Sequence, residues 1–293
     1  MPELPEVETV RRGLAPYLDG ARIEAVTLNR KDLRFAFPKD FAERLTGQTI
    51  ERAGRRAKYL LFHLGDGGIW LSHLGMTGSF RFEDRLIAEP TRYREAGADR
   101  KHDHVEMVLV HPEQGRMALI YTDARRFGFM DLYKSEAESP YLAGLGPEPL
   151  SNDFNAEMLA ARFAGRKAPI KAALLDQRVV AGLGNIYVSE ALYRAHILPT
   201  RLAGSLVEKT GRPRPELEAL VIEVRKVLLE AIDAGGSTLR DFRNADGNSG
   251  YFQHRFLIYD REGEPCLTPG CTGTVQRIVQ SGRSSFFCPV CQH

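Results

Sequence analysis

The chain has only four cysteines, Cys266, Cys271, Cys288 and Cys291, and all of them lie within its last 28 residues. Their spacing is C-x4-C, sixteen residues, then C-x2-C. Two close pairs of this kind bring four thiolates to one tetrahedron with a β-hairpin between them, the arrangement of a zinc ribbon. A secreted disulfide scaffold spreads its cysteines along the chain instead. The alternative of four reduced cysteines in a core leaves the paired spacing without a reason. Four thiolates close the coordination sphere, so the expected ion is one structural Zn2+ that offers no position to a substrate. The hairpin turn reads Gln280-Ser281-Gly282-Arg283, which holds an arginine at its tip, and Arg277 and Arg283 partly offset the negative cluster.

Such a module needs only about 30 residues, and the chain has 293, too many for one compact core, so two domains are expected. With 43% hydrophobic residues and a mean hydropathy of -0.29 there is material for real cores. No apolar run approaches the roughly 18 residues of a membrane span. The first residues, MPELPEVETV, are acidic and proline-bearing where a secretory signal is basic and then apolar, so a cytoplasmic protein with no membrane partner is expected. The net charge of +2 excludes a bulk-basic polyanion binder. Residues 1–150 carry 22 basic and 23 acidic side chains and residues 151–293 carry 18 and 15, a weak tilt toward nucleic acid in the second half.

Leu4, Val7, Val10 and Leu14 recur at spacings of three and four, which predicts a helix at the N-terminus. From about 21 to 133 short β-rich runs alternate with glycine turns, among them 59–62, 69–71, 104–110 and 117–122, which predicts an antiparallel β domain with that helix packed on it. Residues 83–101 are charged and aperiodic, a solvated insertion. Helical periods follow at 155–163, 170–175, 186–196 and 215–234, with Asn152 or Asp153 as a cap and Gly235-Gly236 as a stop. The expected class is α+β, divided as 1–135 (β-sandwich), 136–150 (linker), 151–236 (helical) and 237–293 (a glycine-rich loop and the cysteine module).

Three further features carry chemistry. Once Met1 is removed, Pro2 is a secondary amine beside Glu3; an α-amine titrates near 8, far below lysine, and forms an iminium with an aldehyde-level carbon. Glu3 and Glu6, three apart, lie on one face near that amine, although a proline followed by acids also simply starts a helix. Gly182-Leu183-Gly184-Asn185 is a glycine turn leading into a helix, where backbone N–H groups and the Asn185 amide meet an anion, or else a tight turn between helices. Basic clusters at Arg55, Arg56 and Lys58, at Arg125 and Arg126, and at Arg166, Lys167 and Lys171 form a phosphate-tracking surface if they converge, and solvated faces if they do not.

Taken in order, Pro2-Glu3-Leu4-Pro5-Glu6-Val7-Glu8, RRAKYL at 55–60, HLGM at 73–76, KHDH at 101–104, TDARRFG at 122–128, LGPEPL at 145–150, GLGNIY at 182–187 and the terminal cysteines resemble bacterial formamidopyrimidine-DNA glycosylases over essentially the whole chain. The resemblance implies a base-excision repair enzyme that flips oxidised purines, such as 8-oxoguanine and formamidopyrimidines, out of double-stranded DNA. It implies Pro2 as nucleophile and Schiff-base former, Glu3 as general acid/base, and Lys58 and Arg283 as the acids of β- and δ-elimination, with Glu6 and Lys171 in support. Met76, Arg125 and Phe127 match the residues that fill the void left by the flipped base; His102, Arg125, Lys167 and Asn185 match positions that hold DNA. The GLGN turn then belongs to a helix-two-turn-helix element, and 237–251 to a loop over the extruded base. A monomer acting at the bacterial nucleoid is implied.

Two departures stand out: the first cysteine pair is two residues longer than C-x2-C, and the insertion before KHDH has no counterpart role. The related endonuclease eight type, for oxidised pyrimidines, begins PEGPE rather than PELPE and lacks HLGM. A non-catalytic lesion-binding protein would not need Pro2, Glu3, Lys58 and Arg283 together.

Overall fold

The computed structural model describes residues 1–83, 100–237 and 250–293. The core of the insertion and most of the glycine-rich stretch 237–251 therefore lie outside the described residues. The described chain falls into two compact units, Met1–Ala143 with Gly235–Gly250, and Gly144–Ala234 with Tyr251–His293.

The first unit opens with helix α1 (Leu4–Leu18), which buries Leu4, Val7, Val10, Leu14 and Leu18, the three-four stripe expected from the sequence. The chain continues through β1 (Arg22–Leu28), a short helix α2 (Phe41–Leu45), β2 (Ile50–Arg56), β3 (Tyr59–Leu64), β4 (Ile69–His73), β5 (Ser79–Glu83), β6 (Asp103–His111), β7 (Gly115–Thr122) and β8 (Phe129–Tyr133). These strands form two antiparallel four-stranded sheets, ordered β1-β6-β7-β5 and β2-β3-β4-β8. Ile23, Met107, Leu119 and Tyr121 of the first sheet share one core with Leu60, Phe62, Trp70 and Met130 of the second and with Val10 and Leu14 of α1. That is a sandwich with the N-terminal helix docked on it. The chain stays with this unit beyond β8, because Tyr141 packs on Phe129 with ring centroids 4.5 Å apart. The unit boundary after Ala143 thus falls inside the stretch 136–150 read as a linker.

α1 is fastened to β2 by charge. The Glu8 carboxylate accepts from Arg11 at 2.8 Å and Arg12 at 2.9 Å and pairs with Arg55 of β2 at 3.3 Å. Burial pushes this carboxyl up, but the hydrogen bonds from Arg11 and Arg12 and the charges of Arg11 and Arg55 outweigh it and hold it at about 2, against an ordinary 4.5. A depressed folded-state value means stability that is complete above the unfolded value and lost as pH falls from about 4.5 through about 2. Because Arg12 is exposed and solvent screens it, the contribution is about 1–2 kcal/mol. Glu8→Gln is expected to lose that much at neutral pH and to show a flatter decline between pH 5 and pH 2 in urea unfolding. Parallel acid limbs for variant and parent would remove the charge cluster from the account.

The second unit is helical: α3 (Ala156–Phe163), α4 (Ile170–Leu175), α5 (Asn185–Arg194) and α6 (Pro215–Asp233). The cap of α3 is Asn155, whose Oδ1 accepts the Met158 N–H at 2.8 Å, and neither Asn152 nor Asp153. A side-chain cap reaches the amide three residues ahead, and only Asn155 stands at that distance. α6 has Pro215 at its first position and ends before Gly235 and Gly236, both with positive φ, the stop expected from the sequence. The unit finishes in the two-stranded hairpin β9 (Gln276–Gln280) and β10 (Arg283–Phe287). Its two-residue turn places Ser281 and Gly282 at φ 49° and 74°, the left-handed pair that matches strand twist. Among the described residues no helix is long and apolar enough to cross a membrane.

Candidate active site and metal centre

Pro2 and Glu3 are buried at the head of α1, with Glu3 only 4% exposed. With Met1 in place the Pro2 nitrogen is an amide; removal of Met1 is what makes it an amine. Glu3 is the N-cap in extended backbone rather than a helical residue, as the reading of Glu3 and Glu6 on one helix had it. Glu6 turns back so that its Oε2 accepts the Glu3 N–H at 2.8 Å, while Oε1 accepts the Ser237 N–H at 2.8 Å and hydroxyl at 3.2 Å. Glu6 therefore anchors backbone on both sides, and Gly236 passes so close that a Cβ there would lie 3.1 Å from the Glu6 carboxylate.

Lys58 sits in the turn between β2 and β3, where Arg56 pairs with Tyr59. Ala57 adopts φ 53°, a conformation that a side chain resists, and its carbonyl accepts from Arg55 Nη1 at 2.9 Å. Arg55 in turn meets Glu8, so the lysine turn and α1 are tied to each other. Lys58 is buried. Sequence reading passed over its neighbour His73, which faces Tyr59 across β3 and β4 and stacks on Phe129 at 5.4 Å. Burial first, then the positive charges of Lys58 and Arg34, push His73 down to about 4, so it is neutral at pH 7. Its Nδ1 accepts the Gly75 N–H at 3.1 Å, which leaves the proton to Nε2. The histidine of HLGM was the available signal.

Met76, Arg125 and Phe127 are brought onto one edge of the sandwich, the methionine 36% and the phenylalanine 44% exposed, with the Arg125 guanidinium 4.7 Å from the Phe127 ring centre. His102, half-buried just before β6, accepts the Asp123 N–H on its carbonyl at 3.1 Å. Arg126 faces away to Asp32 at 3.7 Å.

In the second unit the turn before α5 is held by a residue with no evident sequence signal. Gln177 accepts the Gly182 N–H at 2.9 Å and donates to the Leu183 carbonyl at 2.9 Å. Asn185 heads α5, and its amide nitrogen donates to the Ser284 carbonyl at 3.0 Å. Lys171 donates to that same carbonyl at 2.7 Å and to Ser285 Oγ at 2.8 Å. Lys171 is thus a buried internal donor, not part of an exposed phosphate track with Arg166 and Lys167, because its ammonium sits beneath the hairpin. Both donors fix the strand beside Arg283, which is exposed at the start of β10, and Lys167 is exposed between α3 and α4.

The four cysteine Sγ atoms all lie within 4.8 Å of one another, with Cys266–Cys291 and Cys271–Cys288 at 3.6 Å. Zinc–sulfur bonds of about 2.3 Å at the tetrahedral angle demand sulfur separations of about 3.8 Å, so the set fits Zn2+. The longer first pair does not spoil this. Gly270 turns with φ 76°, and Thr268, inside the extra residues, directs its N–H to Cys266 Sγ at 3.4 Å and its hydroxyl group to within 3.4 Å of Cys291 Sγ.

Three family models match: one described as the formamidopyrimidine-DNA glycosylase N-terminal domain over residues 1–130, one as the H2TH domain of the same glycosylase over 145–243, and a zinc finger found in FPG and IleRS over 263–293. Proteins named formamidopyrimidine-DNA glycosylase from Rhodopseudomonas palustris and Rhizobium etli are 56% and 55% identical, with all of both chains covered. The chain belongs to the formamidopyrimidine-DNA glycosylase family. Among solved structures, the MutM (Fpg) protein of Thermus thermophilus is similar at 40% identity and TM-score 0.80, covering 99% of this chain and 98% of that one. A Lactococcus lactis Fpg mutant in complex with Fapy-dG-containing DNA is similar at 35% identity and TM-score 0.82 over the whole of both chains. The α+β architecture is that of the Fpg family, and its zinc finger gives the four clustered cysteines a structural zinc.

Proposed function

We infer that this chain is a bifunctional DNA glycosylase and abasic-site lyase that removes oxidised purines from double-stranded DNA. The Pro2 amine, freed of Met1, attacks C1′ of the extruded nucleoside while Glu3 delivers a proton to the departing base or to the sugar ring oxygen. The C1′–base bond breaks and the base leaves with its proton; the C1′–O4′ bond then breaks with a proton taken up by O4′, and the Pro2 nitrogen is left as an iminium on the open sugar. That electron sink acidifies C2′, so the C3′–O bond breaks by β-elimination with Lys58 as acid, and the C5′–O bond follows by δ-elimination with Arg283 as acid. Met76, Arg125 and Phe127 fill the vacated space: a pliable thioether, a ring that wedges a base step, and a guanidinium that bonds the orphaned base. His102, Lys167 and Asn185 hold the DNA, and Glu6 and Lys171 keep Glu3 and Arg283 in place. We assign these roles to the parts 1–135, 136–150, 151–236 and 237–293, acting as a monomer in the bacterial cytoplasm.

The observation that supports this most is the buried Glu3 beside Pro2 at the head of α1, in a chain that matches, end to end, Fpg proteins solved on Fapy-dG and abasic-site DNA. The test is borohydride reduction of the protein mixed with an 8-oxoguanine·cytosine duplex, followed by intact mass and peptide mapping. A DNA remnant on a terminus that begins at Pro2 is expected. Bound duplex with Met1 absent and no adduct would refute the iminium, and faster cleavage of a thymine-glycol duplex would turn the assignment to oxidised pyrimidines.

A further inference from the structure

One buried carboxylate ties the two loops that carry Met76, Arg125 and Phe127. Asp123 has no exposed surface. Its Oδ1 accepts the Thr77 hydroxyl at 2.5 Å, and its Oδ2 accepts the Gly128 N–H at 2.8 Å and the Tyr121 hydroxyl at 3.4 Å. Thr77 Oγ1, having given its only proton to Asp123, accepts the Arg125 N–H at 3.0 Å. Each wedge residue is thereby two links, covalent or hydrogen-bonded, from the same carboxylate. Met76 precedes Thr77, Arg125 bonds to Thr77, and Phe127 precedes Gly128. The loops also touch through backbone: Gly75 has φ 63°, and a Cβ there would lie 2.6 Å from the Phe127 carbonyl oxygen. A Cβ on Gly128 would meet the Tyr121 hydroxyl and lie 3.0 Å from Asp123 Oδ2.

We propose that the Thr77–Asp123 pair is a positioning device that makes Met76, Arg125 and Phe127 enter the duplex as one rigid unit. This rests on the void-filling role given to those three side chains above. The physical reason is directional. A buried charge-assisted hydrogen bond is short and strong, and here the hydroxyl relays its orientation to the Arg125 backbone. A loop held only by packing has several arrangements of similar energy. One held by a shared carboxylate has one, and a wedge must not yield when it meets a stacked base pair.

The test uses the full-length protein with Thr77→Val, which keeps the shape and removes the hydroxyl, and Thr77→Ser, which keeps the hydroxyl. Single-turnover base release from an 8-oxoguanine·cytosine duplex is expected to fall about tenfold in Thr77→Val and to return to near the parent rate in Thr77→Ser. Cleavage of an abasic site in single-stranded DNA, where no void exists, is expected to stay unchanged. Met76→Ala and Phe127→Ala are then combined. Their effects on the duplex rate are expected to be non-additive by at least about threefold with Thr77 present and additive with Thr77→Val. Equal losses on duplex and single-stranded substrates, failure of Thr77→Ser to rescue, or the same coupling in both backgrounds would overturn the proposal. If Met76→Ala and Phe127→Ala leave the duplex rate untouched in the parent protein, the void-filling reading itself falls, an outcome distinguishable from all of these.

Discussion

Glu3→Gln is expected to slow base release from an 8-oxoguanine duplex by about 10² to 10⁴-fold, the usual worth of a positioned acid/base group, with duplex affinity within a few-fold of the parent. The substitution preserves size and leaves the Glu3 N–H to Glu6 hydrogen bond intact, because that bond uses the backbone. What it removes is a carboxyl, 4% exposed and adjacent to Pro2, that can both give and take a proton. Single-turnover kinetics alongside a binding titration separate the two effects. A Glu3→Gln protein within threefold of the parent in base release would refute the assignment, whereas a matching loss in binding would recast Glu3 as a folding residue of α1.

The second large effect concerns the metal. Cys288→Ser is expected to release zinc, unravel the hairpin and weaken duplex binding by more than about 100-fold, since structural zinc supplies apparent folding energies of about 10–16 kcal/mol. The apolar core around it consists of Tyr193, Ile258, Val275 and Phe286 with the buried Cys266 and Cys288, far too little to order the module alone. The Cys288 N–H also donates to Gln292 Oε1 at 2.8 Å, and Gln292 reaches the Ile197 carbonyl at 2.9 Å, so loss of the metal loosens the attachment to the helices as well. Metal analysis, far-ultraviolet dichroism and a binding titration on the same sample make the check. A zinc-free Cys288→Ser protein that binds duplex DNA like the parent would show that the hairpin and Arg283 are not needed for binding.

Much of the architecture is legible in the amino-acid sequence alone. The stripe Leu4, Val7, Val10, Leu14 is local and periodic, and so is the stop at Gly235-Gly236. The turn Gln280-Ser281-Gly282-Arg283 was readable because the glycine supplies one of the two left-handed residues a two-residue hairpin requires. The cysteines announced a metal through spacing alone. The sequence misleads where a side chain has to be assigned a neighbour. Lys171 looked like a member of a basic patch because Arg166 and Lys167 stand near it in sequence, yet its ammonium is consumed by Ser284 and Ser285, 113 and 114 residues away. Asn155 rather than Asn152 caps α3, a choice among adjacent polar residues that only backbone geometry makes.

His73, Asp123, Gln177 and Glu190 make the deeper contrast. Glu190 lies in the middle of α5, fully buried, and its Oε1 accepts the N–H groups of Leu257, Ile258 and Tyr259 at 2.9–3.1 Å. Burial pushes this carboxyl up, against the pull of those three backbone N–H groups and of Arg194. In sequence it is one more acid on a helix. The sequence by itself determined the elements, the zinc module and, through its ordered motifs, the family, because periodicity and spacing act over a few residues. Only the tertiary structure decided which polar groups are buried against one another. A hydrogen bond between residues 67 apart, such as Leu257 to Glu190, leaves no mark within either local window.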